Sequence, residues 1–126
     1  MFIGCASSAV EETEAYKKKP TQHIKVADLH SMDEAEKIFL LKTSEIKAKT
    51  KLDVNELQEI HFITYTLEKS VAYFAENLTG ERQAMAKELA EIVEEIHINS
   101  EDNLKEETKQ LLEKYFAKAE SFIVGF

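Results

Sequence analysis

Two histidines head similar strings in this chain. Glu59-Ile60-His61-Phe62-Ile63-Thr64 is echoed by Glu95-Ile96-His97-Ile98-Asn99-Ser100, and each histidine is followed three positions later by a hydroxyl. Imidazole nitrogens next to a carboxylate form a donor set that zinc, iron and copper accept. Two carboxylates stand close to His97 in helical spacing, Glu94 three residues before it and Glu101 four after it. Glu94-x-x-His97 has the spacing with which carboxylate-bridged di-metal bundles bring two ligands onto one helix face. The matching position before His61 is Gln58, so the pattern occurs once rather than twice. A metal site of His61, His97, Glu94 and Glu101 is one reading. The other is a register-fixing polar network in which the histidines bond with Thr64, Tyr65, Glu68 and Ser100 across a helix pair, with no ion. The spacing leaves both open. A haem held by two histidines fits poorly among large and β-branched neighbours, and His23 and His30 show no partner at ligand spacing.

Either reading requires the two rings to meet. Thr79-Gly80 carries the mid-chain glycine, with His61 18 residues before Thr79 and His97 18 after it. A hairpin bending there puts both imidazoles at one height, roughly 27 Å from the bend at about 1.5 Å per residue. At about 100° per residue, both lie on the same rotational side of their apolar stripes. They therefore converge in the groove between the two helices or both turn outward, according to the hand of the bundle.

The rods that would carry them are legible. Ser31-Met32-Asp33-Glu34 is a capping box, opening a helix to about Lys49 with Ala35, Ile38, Phe39, Leu41 and Ile46 as its apolar stripe. Asp53-Val54-Asn55-Glu56 repeats the logic, and Leu57, Ile60, Ile63, Leu67, Val71, Phe74 and Leu78 recur at helical spacing. Phe62, Tyr65 and Tyr73 fall off this stripe, so something covers a second side, the arm before residue 31 being the cheapest cover. A third helix carries Met85, Leu89, Ile92, Val93 and Ile96. Asn99-Ser100-Glu101-Asp102-Asn103 interrupts the pattern before Leu104, Leu111, Leu112, Tyr115, Phe116, Ala119, Phe122 and Ile123 resume it. The expectation is an all-α, up-and-down four-helix bundle over residues 31–126, the alternative being three helices with a long kinked last one. Residues 16–30 read as an extended arm and residues 1–15 as a signal remnant or disordered tail.

With 24 Asp and Glu against 16 Lys and Arg, the net charge of -8 repels a phosphate backbone, which argues against nucleic acid as a partner. A single cysteine, Cys5, makes no internal disulfide. Phe2-Ile3-Gly4-Cys5 loosely matches a lipoprotein processing box, which would make Cys5 a lipid attachment point, whereas Ser7-Ser8-Ala9 matches a signal-peptidase cut. The two exclude each other. No apolar run is long enough to span a bilayer.

The strings His61-Phe62-Ile63-Thr64-Tyr65-Thr66-Leu67-Glu68 and Glu94-Glu95-Ile96-His97-Ile98-Asn99-Ser100-Glu101, with Tyr16-Lys17-Lys18-Lys19-Pro20 ahead of them, resemble a family of small, uncharacterised bacterial periplasmic helical proteins. The resemblance implies export and an all-helical fold, and brings no catalytic residues. No nucleophile arrangement, phosphate loop or paired-acid cleft is visible. The expected function is thus a non-enzymatic envelope protein, periplasmic or lipid-anchored, that binds a partner or small ligand without a cofactor. The alternatives are a metal-binding or electron-transfer bundle using zinc, iron or copper, a homodimer, and a cytoplasmic location.

Overall fold

Ser31 opens the first helix as its spacing predicts. In the computed structural model, which describes residues 26–126, the Ser31 Oγ accepts from the Glu34 amide at 3.1 Å. The Glu34 carboxylate in turn accepts from the His30 amide at 2.7 Å. Helix α1 then runs Met32–Lys47. Asp53 caps α2, Val54–Asn77, by accepting from the Glu56 amide at 2.9 Å. Glu56 Oε1 accepts from the Lys51 and Leu52 amides at 2.8 and 2.9 Å, which holds Leu52 in the left-handed region at φ 53. That conformation costs a leucine about 1–2 kcal/mol, offset by burial of its side chain, which is worth about 1.5–3 kcal/mol.

Helix α3 spans Gly80–Glu101 and α4 spans Lys105–Ile123. Gly80 sits at φ 64, where glycine alone is unstrained, and the α2–α3 bend forms there. The second break falls within Asn99–Asn103, as the sequence expectation has it. Asn99 and Ser100 belong to the last helical turns of α3, their side chains donating to carbonyls of the preceding turn, Asn99 Nδ2 to Glu95 at 2.8 Å and Ser100 Oγ to His97 at 3.2 Å. The chain turns at Asn103, at φ 59, a residue type that tolerates the left-handed region without being glycine. Four separate helices result, and the three-helix alternative falls away.

Consecutive helices pack on one another, and α1 meets α4 through side chains. The core splits into two chemically different ends. Near the α2–α3 bend, Phe39 packs against Phe74, Phe122 and Phe126 with ring centroids 5.8, 5.7 and 5.9 Å away. The Arg82 guanidinium lies 4.1 Å over the Phe122 ring and donates to the Phe122 carbonyl at 2.7 Å. Farther along, the buried Tyr115 hydroxyl meets Thr43 Oγ1 at 2.6 Å, and burial pushes its phenol far above the usual range. Leu41, expected on the α1 stripe, is 53 % exposed. It is two residues, about 200°, round the helix from buried Phe39. The other end of the α2–α3 pair carries the histidines.

Candidate metal centre

Helix α2 buries two adjacent strips. Leu57, Ile60, Leu67, Val71 and Phe74 face the bundle core, while His61, Thr64 and Tyr65 face α3 and are also buried. This explains why Tyr65 fell off the predicted stripe: α3 covers it. Of its companions, Phe62 stays 51 % exposed and Tyr73 packs half-buried on the core. The proposed covering arm lies largely outside the described residues. Its described end comes back onto the bundle, with Lys69 Nζ 2.8 Å from Asp28 and Leu29 packed on the core.

The antiparallel register brings His61 and His97 together. Their ring centroids are 4.4 Å apart in the groove between α2 and α3, which is the convergent one of the two expected placements. Tyr65, one turn beyond His61, stands edge-on to both rings at 5.1 and 4.8 Å, and its hydroxyl is 3.3 Å from His61 Nε2. Thr64 fixes the orientation of His97. Its hydroxyl donates to the His61 carbonyl at 2.5 Å and so has no proton left for the His97 Nδ1 that lies 2.8 Å away. Nδ1 must therefore be the donor. In the neutral ring this places the lone pair on Nε2, the tautomer that a hydrogen-bonded second nitrogen imposes on metal-binding histidines.

One candidate ligand atom from each of His61, His97 and Glu101 lies within 4.8 Å of the others. Glu101 is half-buried at the last turn of α3. Gln58 holds that turn in place, donating through Nε2 to the Ser100 and Glu101 carbonyls at 3.2 and 3.4 Å and to Asn103 Oδ1 at 2.9 Å. Gln58 was read from sequence only as the residue that breaks a second Glu-x-x-His pair. Its positioning role was foreshadowed by nothing except its place one turn before His61.

Glu94 stands apart from this trio, exposed on α3. Its effect is electrostatic: burial, and then the Glu94 charge, push the Glu68 carboxyl up to about 7. Glu68 Oε2 lies 3.8 Å from His97 Nδ1, a distance suited to an ion pair. Burial outweighs what that contact contributes, since the carboxyl is displaced upward. Ser100 is fully buried and bonded within its own helix. Burial, followed by the charges of Glu101 and Glu68, raises the Tyr65 phenol above its ordinary value. His30 donates its amide to the Glu34 carboxylate of the helix cap and joins no ligand cluster among the described residues. His23 and Cys5 lie outside the described residues. Among the described residues no helix is long and apolar enough to cross a membrane.

A family model described as "Family of unknown function (DUF6746)" matches residues 1–124, and the chain belongs to that family. This agrees with the resemblance carried by the two histidine strings, in that the family has no assigned chemistry. No curated protein and no solved structure matches the chain.

Proposed function

We propose that this protein is a non-enzymatic helical bundle that binds one first-row transition-metal ion between α2 and α3, through His61, His97 and Glu101. The observation that carries the reading is the convergence of three ligand atoms of the right types within 4.8 Å. Ligands about 2.0–2.2 Å from a tetrahedral zinc are about 3.3–3.6 Å apart, so a small closing rotation of the side chains would complete the site. Its surroundings support the same reading. Thr64 sets the His97 tautomer, Glu68 stands behind His97 Nδ1, and Gln58 secures the turn that presents Glu101, which are the outer contacts that tune metal ligands. Glu94 is left out of the ligand set.

The deciding experiment is metal titration of the chelator-treated protein followed by melting. An ion that binds only the folded state stabilises it by about 2.7 kcal/mol at a free concentration of 100 times Kd. We expect this gain with zinc or copper, and its loss in His61→Ala and His97→Ala. Unchanged melting of the parent protein with zinc, copper and iron removes the reading. An envelope location is supported by the resemblance of the histidine strings, and cell fractionation tests it, with radiolabelled lipid incorporation at Cys5 as the check on anchoring.

A second reading has one observation behind it. Phe62 and Ile98, each next in sequence to a site histidine, are 51 % and 49 % exposed and offer an apolar contact patch to a second copy of the chain. Sizing across concentration tests it: a mass independent of concentration and equal to the monomer excludes the dimer.

A further inference from the structure

We propose that the Tyr65 phenol oxygen is the fourth ligand of the site formed by His61, His97 and Glu101, and that this set of donors directs the site to Cu(II). The inference rests on the metal-binding reading above and goes further, by adding a ligand and naming the ion.

Position is the first argument. Tyr65 lies one helical turn after His61 on the same buried strip, and the residue is only 7 % exposed. Its hydroxyl is 3.3 Å from His61 Nε2, which is about the distance separating two ligand atoms that share one four-coordinate ion. The phenol ring is edge-on to both imidazoles, so the three rings would border the same ion.

Charge is the second. A divalent cation among His61, His97, Glu101 and the Tyr65 oxygen becomes the largest local charge and sets the protonation of its ligands. On binding, the phenol O–H bond breaks, an oxygen–copper bond forms and the proton leaves to solvent, with no change of oxidation state. Two neutral imidazoles, one carboxylate and one phenolate carry a total of two negative charges, which neutralise Cu(II). Neutrality matters in a site taken largely out of water, where an uncompensated charge costs several kcal/mol. Among divalent ions offered one set of nitrogen and oxygen donors, copper binds most tightly.

The test uses the full chain carrying Cys5→Ser, so that the lone thiol neither captures nor reduces copper. Copper(II) and zinc chloride are titrated separately and then in competition, with absorption spectra recorded throughout. The expected result is one copper per chain with a phenolate-to-copper charge-transfer band in the near-ultraviolet to blue. Tyr65→Phe, which keeps the ring packing, should lose the band and weaken copper binding at least about 10-fold, with a smaller effect on zinc. Glu101→Gln should shift the band and weaken both ions. A parent protein that binds copper without such a band overturns the inference. So does a Tyr65→Phe variant with unchanged band and affinity, or zinc displacing copper at equal concentration. Zinc binding lost in His97→Ala with no copper band leaves the metal-binding reading standing and refutes the role of Tyr65. If neither ion binds in a histidine-dependent way, both fall.

Discussion

Replacing Glu68 with glutamine should make the protein more stable at pH 8 and nearly unchanged at pH 4. Burial, and secondarily the charge of Glu94, raise the Glu68 carboxyl from 4.5 to about 7. Between those values the folded protein therefore holds a proton that the unfolded chain has released. Because the slope of unfolding free energy against pH follows the protons bound unfolded minus those bound folded, it is negative in this window. Stability from this group is fully present below about pH 4.5, declines as pH rises toward 7, and levels off above.

The whole displacement of about 2.5 pH units, at about 1.36 kcal/mol per pH unit, would amount to about 3.4 kcal/mol. The side chain is 37 % exposed, so solvent screening reduces this to on the order of 1 kcal/mol. Glu68→Gln keeps the shape and cannot ionise. Urea denaturation of parent and variant at intervals from pH 4 to 8 should show the parent losing about 1 kcal/mol relative to the variant across the window. Glu94→Gln should remove a smaller part of the same slope. A variant that keeps the parental pH slope, or that is the less stable protein at pH 8, refutes the reasoning.

Other substitutions probe the packing that holds the site. Thr43→Val strips the buried Tyr115 hydroxyl of its 2.6 Å partner and should cost about 1–3 kcal/mol in chemical denaturation, with Tyr115→Phe in the same background recovering part of it. Gly125→Ala would place a Cβ 2.6 Å from the Arg82 guanidinium carbon. The flexible arginine should swing away from Phe122 at a cost of about 1 kcal/mol, and calorimetry should find Gly125→Ala and Arg82→Ala non-additive. Asn103→Gly relieves the backbone at φ 59 but removes the acceptor of Gln58 Nε2 and should cost about 0.5–1.5 kcal/mol, whereas Asn103→Val loses that bond and adds about 1–2 kcal/mol of strain, both read by melting. Thr108 is fully buried, and its hydroxyl has no hydrogen-bond partner among the described residues. Thr108→Val should therefore be neutral or stabilising by up to about 1 kcal/mol.

Much of this molecule could be read from its residues because local chemistry and tertiary structure agree. Ser31 and Asp53 announce the first two helices by caps that the structure realises, and Gly80 marks a bend that needs its conformational freedom. The shared height of His61 and His97 followed from counting outward from that bend. Other features depend on partners remote in sequence and could not be counted. Tyr65 seemed off-stripe because a single helix shows one buried face, whereas α2 buries a second strip against α3. The Asn99–Asn103 stretch reads as a break because polar residues compete with helix hydrogen bonds, and the chain does turn within it, at its last residue rather than its first. Leu41 shows the opposite error, an apolar residue included in a stripe from which helical rotation removes it. The carboxylates divide likewise: Glu94 had the recognised spacing but points to water, while Glu101 is brought in by Gln58 from another helix.

The uneven distribution of aromatic side chains has a dynamic consequence. Phe39, Phe74, Phe122 and Phe126 knot together the end near Gly80, while the far termini of α2 and α3 are tied by amide and imidazole bonds, Gln58 chief among them. Amide hydrogens should therefore exchange fastest around Asn103 and slowest around Phe74, as the bundle breathes open like a hinged clasp. An incoming ion would then reach the imidazoles through fraying at the loose end, with the knotted end intact.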